Sequence, residues 1–196
     1  MYFIDDIRTF KPECPQEEND RRLMLEAACS LPEGILTRAH ELYHMTASSM
    51  IVNEARTHVL MAYHNIYDSW AWTGGHADGE SDLMKVATRE AREETGIRTL
   101  TPLSTAPVSL EILHVQPHIK RGRYVSSHLH MNLTYAFIGD DTEEISVKPD
   151  ENARVGWLPI DSLDDAVREK DMLPYYKKIL SRMLQFQSFT RSISLK

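Results

Sequence analysis

After Pro15, the segment QEENDRRLMLEAACSL carries Leu23, Met24, Ala27, Ala28 and Leu31 three and four positions apart, and Pro32 and Gly34 close it. That spacing predicts an amphipathic helix. SSMIV (48–52) and HVLMAYH (58–64) are apolar runs on either side of NEART, and they read as two strands around a hairpin turn. SWAWTGGHADGE then enters a glycine-rich loop, and SDLMKVATREAREET has the period of a helix. Two more strands are expected at 108–115 and 128–138, joined by the polar, basic stretch PHIKRGRYVSS. Residues 154–158 form a short last strand, Asp161 caps a short helix, and 173–186 carries Tyr175, Tyr176, Ile179, Leu180, Met183 and Leu184 at helical spacing. Strands interleaved with helices at both ends predict an α/β (α+β) fold, with a mixed sheet between helical layers. The expected organisation is one domain over residues 1–196. Its core covers about 45–165, with a helical extension at about 15–32 and a C-terminal helix at about 173–187.

Composition changes the picture in one respect. Hydrophobic residues at 42% and charged residues at 26% are ordinary for a globular chain, but the net charge of −7 argues against broad electrostatic binding to nucleic acid or anionic membranes. A small phosphorylated ligand held through a metal is compatible with it. The start, MYFIDDIRTFKP, has no apolar stretch flanked by basic residues, and no apolar run approaches the roughly 20 residues that span a bilayer. Cys14 and Cys29 have no metal-ligand spacing and read as reduced structural thiols. These features lead to an expected cytoplasmic location.

The helix REAREETGI (89–97) poses a conflict. At about 100° per residue, the apolar stripe Leu83, Val86, Ala87 continues through Glu90 and Glu94, with Glu93 at its edge, while Lys85, Arg89 and Arg92 fall mainly on the other side. A surface helix normally turns its charges away from the core. Carboxylates crowded on the inward side repel and raise one another's pKa, and a bound divalent cation would resolve the repulsion.

The stretch GGHADGESDLMKVATREAREETGI resembles the Nudix box: Gly, five residues, Glu, seven residues, then Arg-Glu-aliphatic-x-Glu-Glu-x-Gly-aliphatic. Arg89, Glu90, Ala91, Glu93, Glu94, Gly96 and Ile97 match its second half. In the first half, Ser81 occupies the expected glutamate position counted from Gly75, and Glu80 comes one residue early. The GGHADG form is similar to a subgroup of Nudix hydrolases. The resemblance implies a Nudix-like α/β/α sandwich and a pyrophosphohydrolase that needs Mg²⁺ or Mn²⁺. It further implies that Gly75, through its carbonyl, and Glu90, Glu93 and Glu94 hold the metal, with Arg89 bridging to Glu93 or Glu80. Many Nudix enzymes bring another glutamate from a later loop, so Glu151, with Asp150 as its neighbouring substitute, joins Glu90 as a candidate base. The implied substrate is a small molecule, a nucleoside diphosphate linked to another moiety. No nucleic-acid or membrane partner is expected, and a homodimer is left open.

Other residues offer less specific signals. His128 and His130 alternate with Leu129 and Met131 on a predicted strand, giving a polar face exposed to solvent or to a substrate cleft; a His-x-His metal pair there lacks an obvious third ligand. His76 within the box loop could touch phosphate. Lys120, Arg121 and Arg123 could neutralise a diphosphate or form a solvated hairpin loop. Trp70 and Trp72 could stack on a base, though burial is the more frequent use of tryptophan. Two rival functions are a nucleotide sensor of the same fold without turnover, and an enzyme like isoprenyl diphosphate isomerase. The thiol-using form of the latter needs a cysteine in the cleft, whereas Cys14 and Cys29 both precede the predicted sheet.

Overall fold

The computed structural model describes residues 2–120 and 122–186, with only the backbone at Lys120. Two helices come first, α1 (Tyr2–Thr9) and α2 (Pro15–Ser30), followed by the long strand β1 (Tyr43–Asn53) and β2 (His58–His64). β3 (Ser69–Ala71) and β4 (Thr73–His76) lead to α3 (Leu83–Thr95). Next come β5 (Leu100–Pro102), β6 (Ser109–Val115), β7 (His118–Lys120), β8 (Arg123–Val125), β9 (His128–Gly139) and β10 (Asn152–Pro159). The short α4 (Leu163–Ala166) and α5 (Leu173–Gln185) close the described chain.

β1 and β9 form the spine of a mixed sheet. They pair in parallel over their whole length, from Tyr43 opposite Leu129 to Asn53 opposite Gly139. The order is β10-β2-β1-β9-β5, with β4 on β1, β3 on β2 and β6 on β9. Side chains alternate across a strand, so each face can be read from the packing. Met45, Ala47 and Ile51 of β1 and Met131, Leu133, Tyr135 and Phe137 of β9 lie in one apolar core with Leu83, Val86, Ala87 and Ala91 of α3 and Phe3 and Ile7 of α1. Ser49 Oγ donates to the Ala87 carbonyl at 2.9 Å, which fixes α3 over this face. On the second face, Met50, Val52 and Ala136 pack against Tyr176, Ile179, Leu180 and Met183 of α5. Each of the larger aliphatic side chains and Phe contributes roughly 1.5–3 kcal/mol by leaving water.

The second face is polar toward its other end. Thr46 Oγ1 and Ser48 Oγ both donate to Asn132 Oδ1, at 3.0 and 2.9 Å, and Asn132 Nδ2 donates to Thr134 at 3.0 Å. Nearby, Arg182 of α5 donates to both carboxylate oxygens of Glu17 in α2, at 2.5 and 2.7 Å, while Lys178 lies 2.9 Å from Glu17 and 3.1 Å from Glu111. Burial opposes the charge on Glu17, but hydrogen bonds from Arg182, the Glu13 N–H and Lys178 outweigh it and hold the carboxyl at about 2. This buried network docks α2 and α5 onto the sheet.

Several expectations need correction. α1 has no sequence counterpart in the expected elements: it buries only Phe3 and Ile7, too few positions to reveal a period. β1 starts at Tyr43 rather than 48, because its polar N-terminal half is covered by neighbouring strands. The glycines of the expected loop form β4, with Thr46 opposite His76 and Ser49 opposite Thr73. The basic connection before β9 is a two-stranded ladder, β7–β8, with Gly122 at φ 76° in its turn. No described helix is long and apolar enough to cross a membrane.

Candidate active site

α3 is stopped at both ends by its own sequence. Asp82 caps the first turn by accepting the Lys85 N–H at 3.1 Å, and Gly96 ends the helix in the left-handed conformation at φ 72°. Between them, Glu94 is buried at 5% exposure, while the Glu90 side chain is 14% exposed and that of Glu93 48%. The acidic patch therefore runs from the interior to the surface along the last two turns.

The register of β4 brings glycine to these carboxylates. Gly75 pairs with Ala47, so it points to the α3 side, whereas Gly74 and His76 pair with Ser48 and Thr46 and point to the opposite face. A Cβ on Gly75 would lie 2.5 Å from Glu90 Cδ and 2.8 Å from Oε1, so only glycine lets this carboxylate lie against the strand. The Gly74 N–H donates to Glu94 Oε1 at 2.8 Å. Burial, followed by the nearby charges of Glu90 and Glu151, raises the Glu94 carboxyl to about 8 despite that hydrogen bond and the field of Lys148.

Arg89 Nη2 donates to Glu90 Oε1 at 2.8 Å, and its Nε stands 3.8 Å from Glu93. The expected alternative bridge to Glu80 is not formed. Glu80 sits at the other end of α3, accepting the Asp82 N–H at 3.1 Å and Lys85 Nζ at 2.6 Å. The loop before β10 closes the site: Lys148 Nζ lies 3.0 Å from Glu151 and 3.5 Å from Glu93. Burial works against the Lys148 charge, but the hydrogen bond to Glu151 and the fields of Glu151, Glu90 and Glu93 hold its pKa above the usual value. The buried Asn152 pins the loop, donating to the Glu94 carbonyl at 3.1 Å and accepting the Lys148 N–H at 3.1 Å. Lys148 and Asn152 were missed in the sequence, where only their position beside Glu151 in KPDEN could have drawn notice. Asp150 is exposed on the same loop.

The remaining candidates scatter. Arg123 is exposed on β8, while Arg121 and the side chain of Lys120 lie outside the described residues. Trp72 packs edge-on against Tyr176, with ring centroids 5.1 Å apart, and Trp70 against Tyr63 at 5.4 Å. Both indoles are thus used in packing. His128 and His130 do not form a solvated face: His128 is buried, and its ring lies 5.0 Å from those of His130 and His44. His76 joins them from β4, 5.0 Å from His44 and 4.9 Å from His130. His44 was missed because it precedes the expected start of its strand.

Carboxylates, a backbone strand of glycines and a helix end are the oxygen-rich surroundings that hard cations prefer. The crowded, high-pKa Glu94 and the close fit of Gly75 against Glu90 suit that role. A mixed sheet between helices with this cluster at its edge defines the class: an α/β domain that can present oxygen ligands to a divalent ion. The NUDIX domain family description matches residues 42–182. The chain belongs to the Nudix family. It is 27% identical over 146 residues to a CMP-5'-(N-acetyl-N-hydroxy-3-aminopropyl)phosphonate hydrolase of Streptomyces rubellomurinus, with 72% of this chain and 65% of that protein aligned. The chain thus spans somewhat under two thirds of that relative's length. Among solved structures it resembles a MutT protein from Methanosarcina mazei Go1 (TM-score 0.56, 14% identity, covering 74% of this chain and 98% of that one). It also resembles a C. elegans Ap4A hydrolase (TM-score 0.51, 15% identity, covering 72% and 98%). These likenesses establish the Nudix α/β/α fold.

Proposed function

We propose that this protein is a metal-dependent Nudix pyrophosphohydrolase that cleaves a diphosphate linkage in a nucleoside diphosphate joined to another moiety, by attack of water on phosphorus. The observation that carries this reading is the convergence of Glu90, Glu93, Glu94 and Glu151 around the α3–β4 contact, with Gly74 and Gly75 admitting the carboxylates to the backbone. Glu90, Glu93, Glu94 and the Gly75 carbonyl would hold Mg²⁺ or Mn²⁺. When bound, that cation draws charge from phosphorus and lowers the pKa of the attacking water.

The chain's own groups do the rest. Arg89 holds the Glu90 carboxylate in place. Gly74 N–H fixes Glu94, so its free oxygen has a defined direction. Glu151 takes the proton from water, with Glu90 as the alternative base, and Lys148, 3.0 Å away, orients the Glu151 carboxylate. Arg123, with Lys120 and Arg121, supplies positive charge to the phosphates. The Streptomyces relative is named for hydrolysis of a cytidylyl phosphonate. A nucleoside monophosphate joined to a second phosphorus-containing group is accordingly a substrate class to test here. The two cysteines are unpaired, in keeping with work in the cytoplasm.

The test is a mass-spectrometric screen of nucleoside di- and triphosphates, dinucleoside polyphosphates, nucleotide sugars, dinucleotide cofactors and nucleoside monophosphate–phosphonate conjugates, with Mg²⁺ or Mn²⁺. Release of a nucleoside monophosphate or phosphate, abolished by chelator, is expected. Binding without product would identify a sensor instead. Isomerisation of an isoprenyl diphosphate would favour the remaining rival, although Cys14 lies at the start of α2 and Cys29 is exposed on that helix.

A further inference from the structure

A second constellation lies on the sheet face opposite α3. His44 of β1, His76 of β4, and His128 and His130 of β9 each direct one ring nitrogen to a common point, and these four atoms lie within 4.8 Å of one another. Topology brings them together. His44 is the parallel partner of His130, His128 follows on the same face two residues earlier, and His76 pairs opposite Thr46, one step further along β1. Three strands thus contribute to one point.

The hydrogen bonds define which nitrogens face inward. His44 Nδ1 is 3.1 Å from the His40 carbonyl and His128 Nδ1 is 2.8 Å from the Ser126 carbonyl, so each donates its proton to the backbone and keeps its lone pair on Nε2. His44 is only 4% exposed, and its Nε2 has no hydrogen-bond partner. His128 Nε2 stands 3.2 Å from His130 Nε2. One proton between that pair could satisfy it, but the buried acceptor on His44 would still face the same point unpaired. Backbone carbonyls holding the outer nitrogen are the usual support of a metal-ligating histidine.

We propose that His44, His76, His128 and His130 form a second metal site, for a borderline divalent transition ion such as Zn²⁺. Imidazole nitrogens suit Zn²⁺ and its transition-metal neighbours, whereas Mg²⁺ prefers oxygen. Zinc–nitrogen bonds of about 2.0–2.1 Å in a tetrahedron put neighbouring nitrogens ~3.3 Å apart. The His128–His130 separation of 3.2 Å is already at that value. This site is distinct in ligand type and sheet face from the carboxylates, yet His76 is the chain neighbour of Gly75. A metal here clamps β4 to β1 and β9, and so holds the glycine strand against Glu90.

The experiment uses untagged full-length protein stripped with chelator, then titrated with Co²⁺ and Zn²⁺. One equivalent of Co²⁺ should bind with the intense visible bands of a tetrahedral site, and Zn²⁺ should displace it. Either His44→Gln or His76→Gln should weaken binding by about 100-fold or more and remove the bands. Glu94→Gln should leave them unchanged, which separates this site from the carboxylate cluster. Circular dichroism of each metal-free variant checks folding, and the half-buried His76 serves where loss of His44 prevents it. Absence of the bands in the parent, their survival in a folded histidine variant, or their loss in a folded Glu94→Gln would each overturn the proposal.

Discussion

Replacing Gly75 with alanine should damage the active site while leaving the fold intact. The added Cβ would stand 2.5 Å from Glu90 Cδ and 2.8 Å from both Cγ and Oε1. Non-bonded heavy atoms rest at about 3.5–4.0 Å, so the carboxylate must retreat by roughly 1 Å. That movement pulls Oε1 from Arg89, now at 2.8 Å, and away from the backbone that would share a cation with it. A misplacement of about 1 Å at a reacting group can cost on the order of 10²-fold in rate. The obstructing atoms belong to the end of a side chain, and the position has no left-handed backbone, so thermal stability should change by less than about 1 kcal/mol. Gly74→Ala is the contrast. Its Cβ would meet the Ala47 carbonyl oxygen at 2.7 Å and Ser48 Cα at 2.9 Å, backbone atoms of the paired strand that cannot turn aside. Overpacking of this kind should cost roughly 1–3 kcal/mol of stability. The assay pairs kcat, on the substrate found in the screen, with Mn²⁺ affinity by electron paramagnetic resonance and with thermal melting. Parental kcat and Mn²⁺ affinity in Gly75→Ala would refute the reasoning. So would a stability loss equal to that of Gly74→Ala.

Glu94→Gln keeps the shape and the contact with the Gly74 N–H but cannot ionise to hold a cation, so kcat should fall by on the order of 10²-fold or more and Mn²⁺ should bind more weakly; full activity across metal concentrations would exclude the box as the metal site. Glu151→Gln should lower kcat by roughly 10²–10⁴-fold with no recovery in excess Mn²⁺, and recovery would make Glu151 an outlying ligand rather than the base. Replacing Lys120, Arg121 and Arg123 together with glutamine should raise KM more than it lowers kcat; an unaltered KM would remove them from phosphate binding. Glu17→Gln removes the carboxylate that takes two hydrogen bonds from Arg182, leaving it Glu13 and the Val108 carbonyl, and should cost about 1.5–3 kcal/mol at pH 7 in denaturant unfolding. Because the folded carboxyl is held at about 2, below its ordinary 4.5, its stabilisation is complete above about pH 5 and fades as pH falls toward 2, so parent and variant should converge there. A gap that widens in acid would contradict that linkage.

The sequence alone determined the elements whose signal is local. α3 is announced by its apolar stripe, its Asp82 cap and its Gly96 stop, all within a few residues of one another. The same periodicity pointed Glu90 and Glu94 inward, because helix geometry relates residues three and four apart whatever surrounds them. The matching residues from Arg89 to Ile97 supplied the family. What tertiary structure decided is who sits across a strand. A run of glycines has no side-chain pattern, so neither the existence of β4 nor its register on β1 could be read from it, yet that register turns Gly75 toward Glu90 and His76 away. Likewise, His44 and His130 stand far apart in the chain and meet because β1 and β9 run in parallel. Lys148 reaches Glu93 only because Asn152 ties its loop to the end of α3. Helix and strand periods are properties of a few consecutive residues, whereas pairing register is selected by the packing of the whole sheet, and both constellations of this protein depend on that selection.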